Sequence, residues 1–207
     1  MLLCGTMRLS RTCRLLLPAA ILVGALGRPG GAGVVDAIYL AQDGSFGPTL
    51  TGSLGERFEP EEDGGLWQPA AGVRLGPVAV EIPAGVLEVH DRAPVGSEET
   101  ELTMYLVGVS VRGYVPVWKS VELYGRAGID WGNIRGCENE PRLPFTGLAY
   151  GAGVDVAYRQ APQGLYVSLR VDYGREHIRL PLSESDSALT GSLDRLVLGF
   201  AIGATLR

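Results

Sequence analysis

The sequence predicts an all-β protein, an eight-stranded antiparallel up-and-down barrel whose strands cross a membrane. Three observations predict it. The first is the stretch LAYGAGVDVAYR at 148–159. Leu148, Tyr150, Ala152, Val154, Val156 and Tyr158 fall on one face of a period-two strand, and Ala149, Gly151, Gly153, Asp155, Ala157 and Arg159 on the other. One face is apolar throughout; the other is small or charged, as expected for a stave with lipid outside and a narrow polar interior. The second is that seven further stretches can be read the same way, joined by connections that alternate long and short. The third is that no run of ~18 apolar residues occurs outside the N-terminus, so any membrane crossing must be made by strands.

The 207 residues suit one domain and carry a net charge of −5 with no recurring basic block, which argues against nucleic-acid binding. Residues 1–33 read as a secretory signal peptide. Arg8, Arg11 and Arg14 open it, an apolar run over 15–26 follows, small residues close it, and no acid precedes Asp36. Either Met1 or Met7 serves as the start, Met7 giving the more usual basic leader. Cys4 and Cys13 fall in this segment and only Cys137 lies beyond it, so no intrachain disulfide framework is expected. One Cys with His90 and His177 far apart gives no metal-ligand spacing, and no metal or cofactor is expected.

Residues 34–48 read as a short periplasmic lead-in and 49–207 as the barrel domain. The first strand is assigned to 49–58, the weakest of the set, and EPEEDG at 59–64 is an acidic loop. The second strand runs over 66–76 despite Pro69, which cannot donate to a ladder; Gly76-Pro77 turns the chain. The third begins at Val78, and its alternation slips near Val86-Leu87, where a bulge is expected. The fourth (101–115), fifth (121–131), sixth (148–159), seventh (165–174) and eighth (193–207) follow, most of them long enough to cross a bilayer on a tilt. Long connections join strands one–two, three–four, five–six and seven–eight; short turns join the others.

Strands in hydrocarbon must close on themselves, because lipid cannot satisfy backbone groups, and eight strands enclose just enough room for side chains. Outward, lipid-facing positions include Leu148, Tyr150, Val154, Val156, Tyr158, Leu169, Val171, Leu198, Phe200 and Ile202. Inward, Arg74, Arg112, Arg126, Arg159, Arg170 and Arg195 face Glu81, Glu122, Asp130, Asp155 and Asp172. Buried charges are costly unless paired, so an interior ion-pair network that plugs the barrel is expected. The inverse reading is a soluble periplasmic barrel with its apolar face inward, holding a lipophile. A water-facing surface of that kind usually carries lysine, and here Lys119, at a turn, is the single one.

The pieces AAGVRLGPVAVEI (70–82), VELYGRAGID (121–130), LAYGAGVDVAYR and LVLGFAIGATLR (196–207) resemble those of small eight-stranded outer-membrane β-barrel proteins of the OmpA-like and OmpX-like kind. The resemblance covers residues 46–207. It implies a bacterial outer-membrane location, outer-membrane lipids as surroundings, and the barrel-assembly machinery as a partner in biogenesis. It also implies a non-enzymatic role, structural or through surface loops; as the chain ends with the last strand, no periplasmic peptidoglycan-binding domain is expected to follow. Such barrels commonly end in an aromatic residue; here the last aromatic is Phe200, six residues before Leu206.

Some outer-membrane barrels hydrolyse lipids with a His-Ser-acid site at the rim. His177 has Glu176, Ser183 and Glu184 nearby, but Arg179 stands where the serine would, and a hydrogen-bonded loop histidine is the reading adopted. His90 beside Asp91 reads as a solvated loop residue. Trp67, Trp118 and Trp131 lie near strand ends, where interfacial aromatics gather. The glycines of YGAGVD lack the strand-to-helix context of a phosphate loop.

Overall fold

The structure is a computed structural model and describes residues 35–61, 65–92, 100–135, 143–160, 163–181 and 188–206. The signal-peptide segment 1–33, Cys137, Ser183, Glu184 and Arg207 lie outside them. In chain order the elements are β1 (Ala37–Leu50), α1 (Gly52–Arg57), β2 (Phe58–Pro60), β3 (Trp67–Leu75), β4 (Val78–Asp91), β5 (Thr100–Trp118), β6 (Val121–Arg135), β7 (Leu143–Arg159), β8 (Gly164–Pro181) and β9 (Ala188–Thr205). Antiparallel pairing runs β1-β3-β4-β5-β6-β7-β8-β9 and returns to β1, so eight strands close a barrel; β2 pairs only with β4.

The eight-stranded antiparallel barrel is the predicted one, but its first stave is not. The segment read as a lead-in, 34–48, supplies β1, and the segment read as the first strand, 49–58, turns into α1 and β2. Ala37, Tyr39, Ala41, Asp43 and Ser45 point inward and are buried. Outward Gln42 and Gly44 interrupt the apolar face, which is why alternation alone passed over this strand. Gly52, with φ 69°, breaks the extended chain and opens α1.

No bulge occurs at Val86-Leu87. The β4–β5 register holds from Val78↔Gly113 to Asp91↔Thr100; the irregularities fall instead at Phe46/Thr49 and Pro116/Trp118. What changes at Val86-Leu87 is the polarity of the two faces. On the turn side, β4 puts Val78 and Val80 outward and Glu81 inward; on the loop side, Leu87 and Val89 are inward and fully buried, while Glu88 and His90 face out. The same inversion occurs on β5, β8 and β9. It gathers Leu54, Phe58, Leu66, Leu87, Met104, Ile134, Phe145, Ile178, Leu180 and Leu193 into one apolar cluster inside the loop end. A strand leaving hydrocarbon for water must exchange its faces in this way, because an outward apolar residue there would meet water and an inward one packs. The barrel therefore continues past the membrane as a water-facing head with a dry core. This explains why β6, β7, β8 and β9 extend beyond their predicted bounds, to Arg135, from Leu143, to Pro181 and from Ala188.

Helix α1 lies across this end. Thr51 N donates to Ser192 O (2.9 Å), Ser53 Oγ to Thr190 O (3.0 Å), and Thr190 N returns to Ser53 Oγ (2.9 Å), tying the helix to β9. Leu54 seals the apolar cluster with no exposed surface. Leu54→Ala is expected to cost about 2 kcal/mol or more and to expose the α1 segment to limited proteolysis while the strands stay protected. Cleavage no faster than in the parent would remove the capping role from Leu54.

Candidate functional site: the barrel interior and its loop-side rim

Below the apolar cluster the interior is charged. Glu81 on β4 is the centre. It accepts from Tyr39 Oη (2.8 Å), Arg112 Nε (2.8 Å) and Arg170 Nη1 (2.7 Å). Asp43 on β1 binds the same two guanidiniums, at 2.7 Å from Arg170 Nε and 3.3 Å from Arg112 Nη2. Asp172 on β8 accepts from Tyr124 Oη at 2.5 Å and lies 3.6 Å from Arg112 and 3.4 Å from Arg126. Nearer the turns, Glu122 joins Arg74 (2.9 Å) and Arg159 (2.6 Å). Arg74 stacks over the Tyr114 ring at 4.0 Å and Arg112 over Tyr124 at 4.8 Å, so the guanidinium faces are covered as well as their edges.

The wall is shaped to admit these groups. Tyr39 sits opposite Gly72 across the β1–β3 ladder, and a Cβ on Gly72 would run into the Tyr39 ring. A narrow eight-stranded barrel can hold tyrosines and arginines only where their neighbours are this small.

Of the predicted interior set, Arg74, Glu81, Arg112, Glu122, Arg126, Arg159, Arg170 and Asp172 form the pairs described above. Arg195 pairs with Glu176 at 3.9 Å, a carboxylate that the sequence reading placed in a loop. Asp130 and Asp155 are buried in the interior but form no ion pair within 4 Å among the described residues. Asp130 is flanked across its ladders by Gly108 and Gly147, and Arg195 and Arg126 act on it only at longer range. Asp155 lies in register with Arg170 and Glu122, whose partners are other groups. Asp43, Glu176, Tyr39 and Tyr124 are the members that the sequence reading misses. Asp43 was hidden by the misplacement of β1, and the tyrosines by counting inward charge alone. A cavity of about 10 Å³, lined by Asp43, Gln68, Ser110, Arg126, Asp130 and Arg195 among others, has room for about one water.

The outer surface is the complement. All ten predicted lipid-facing residues are exposed, from 39 % for Val154 to 63 % for Leu169. Trp118 (74 % exposed) marks the turn-side edge of this apolar belt, and Trp67 and Trp131 lie toward the loop side. Continuous exposed apolar surface around a closed barrel is suited to hydrocarbon, not to water. The soluble-carrier reading is overturned here, since it needs the apolar faces inside and room for a ligand between them.

His177 and His90 are strand residues, on β8 and β4, and not loop residues. His177 faces outward above the belt, with its Nδ1 2.7 Å from Ser192 Oγ and its Nε2 3.1 Å from Tyr150 Oη. The serine that sequence proximity failed to offer thus comes from the next strand. Among the described residues the arrangement gives His177 no orienting carboxylate: a tyrosine hydroxyl meets its Nε2, and Ser192 is 8 % exposed. Ser192→Ala is expected to leave the membrane's lipid products unchanged; a new lipid species in the parent that vanishes in this variant would make the pair catalytic.

No protein-family model and no curated protein matches the chain. Its fold does match solved structures. Neisserial surface protein A superposes with a TM-score of 0.53 at 14 % identity, over 80 % of this chain and 96 % of that one. The fold is that of the small outer-membrane β-barrels. The outer membrane protein OprG from Pseudomonas aeruginosa matches with a TM-score of 0.46 at 11 % identity, over 83 % of this chain and 97 % of that one. Ail, the attachment invasion locus protein of Yersinia pestis, matches with a TM-score of 0.39 at 15 % identity, over 84 % and 98 %.

Proposed function

We propose that this chain is a non-enzymatic barrel of the bacterial outer membrane that passes no solutes and acts through the head it presents beyond the bilayer. The observation that carries this reading is the occupation of the interior along its length. The ion-pair network fills the membrane level, the apolar cluster fills the head, and α1 lies across the top. A channel would need a continuous polar lumen, and the apolar cluster interrupts it. The longer connections, 51–66, 92–99, 136–142 and 182–187, all leave from the head, so the head faces the cell exterior in the usual orientation of such barrels. The first residue of β1, Ala37, and the last of β9, Thr205, which pair with each other at the opposite end, then lie on the periplasmic side.

Two measurements test this. The purified chain in planar bilayers is expected to add no conductance steps to the bare membrane; reproducible steps would defeat the closed reading. A membrane-impermeant maleimide is expected to label Cys137, on the β6–β7 connection, in intact cells as well as in lysed ones. Labelling only after lysis would place the head in the periplasm.

A further inference from the structure

The loop-side face of β7, β8 and β9 carries a patch that the closed interior does not explain. Its register gives three outward rows. The lowest is Tyr150–Arg175–Asp194, the next Leu148–His177–Ser192, and the highest Thr146–Arg179–Thr190. The lowest row is self-neutralised, since Asp194 takes Arg175 Nε at 2.5 Å and Nη2 at 2.7 Å. The middle row is occupied by the bonds of His177. The highest row is different. Thr146, Arg179 and Thr190 are all exposed. Among the described residues Arg179 has no hydrogen-bond or ion-pair partner, and no acid shares its row. Immediately below the patch the belt resumes with Tyr173, Leu196, Val171 and Leu198, each 45 % exposed or more.

We infer that this row is a binding site for the phosphate of a membrane lipid whose acyl chains lie along the belt beneath it. A guanidinium presents several donors to a phosphate, and two hydroxyls in register on either side can add theirs. The chemistry is that of an anionic headgroup at the membrane interface, where cations draw charged lipids. On β7 the row runs down into the belt through exposed Leu148 and Tyr150, directly below Thr146, which selects a lipid over a free anion, because one ligand can then satisfy both surfaces. The inference rests on the bilayer placement of the belt proposed above.

The test uses the full chain in phosphatidylcholine vesicles, with spin-labelled phosphatidic acid compared against spin-labelled phosphatidylcholine. The immobilised fraction of each label is read by electron paramagnetic resonance. The parent is expected to prefer phosphatidic acid. Arg179→Gln should lower that preference roughly fivefold, Arg179→Lys should keep most of it, and Arg57→Gln, on the head but off this face, should keep all of it. Added inorganic phosphate at matched ionic strength should leave the preference in place. An unchanged preference in Arg179→Gln overturns the inference, as does its abolition by inorganic phosphate. A chain that inserts but shows no preference overturns this inference alone; one that does not insert overturns the membrane placement with it.

Discussion

Val154→Arg is expected to weaken insertion of the chain into lipid vesicles more than a substitution anywhere nearer the headgroups. Val154 is outward on β7, between Leu123 on β6 and Val171 on β8, in the middle of the apolar belt. A cation there must sit in hydrocarbon, and the cost at the bilayer midplane is roughly 2–4 kcal/mol. The side chain cannot escape inward, since the strand parity that exposes position 154 also fixes Asp155 inside. Leu148→Arg, closer to the headgroups, should cost roughly 1 kcal/mol or less by the same depth rule. Reversible folding into vesicles, followed by tryptophan fluorescence with urea, measures both. Equal losses at 148 and 154 would show that depth in a bilayer is not what the belt senses. A folded, water-soluble Val154→Arg protein would refute the membrane reading outright.

The same parity decides what the sequence could reveal. At membrane level the outer face is apolar and the inner face small or charged, and β7 and β8 are legible there residue by residue. Tyr150, Val154 and Val171 face out as read, and Asp172 and Arg170 face in. The strand ends were less legible, for a physical cause. Where the barrel leaves the bilayer, apolar residues move to the inner face and polar ones to the outer. A rule that follows one apolar stripe therefore stops at Gly174, although β8 runs on to Pro181. Val86-Leu87 shows the same event, and a change of solvent was read there as a defect of the ladder. β1 escaped for another reason, since Gln42 and Gly44 lie on its lipid side and three alanines or serines on its inner side. The pairing partners inside the barrel were not legible at all. They depend on register across non-adjacent strands, as Asp43 on β1 with Arg170 on β8 shows. Arg179, unpartnered among the described residues, stands out in the sequence only because it occupies the place of a serine.

Glu81→Gln is expected to destabilise the folded barrel by roughly 3–5 kcal/mol, the cost of leaving a buried ion pair without one partner. Glu81 is 1 % exposed and binds two arginines that are themselves fully buried. With its charge gone, Arg112 and Arg170 keep Asp43 between them, and Arg112 must also share Asp172 with Arg126. Two carboxylates then serve three guanidiniums, in a space with room for about one water to make up the difference. Glu59→Gln is the contrast: its pair with Arg92 is more than half exposed on both sides, so its loss should cost no more than about 1 kcal/mol. Adding Arg170→Met to Glu81→Gln removes the surplus cation and should restore part of the loss, with a coupling between the two sites of about 0.5–3 kcal/mol. Restoration should stop short of the parent, because Tyr39 Oη loses a charged acceptor in either variant and Asp43 loses the shorter of its two arginine contacts. Urea unfolding in vesicles at fixed lipid composition gives all four corners of the cycle. A Glu81→Gln loss no larger than that of Glu59→Gln would mean that the interior charges are solvated, and an interior wet enough to solvate them would be wet enough to conduct.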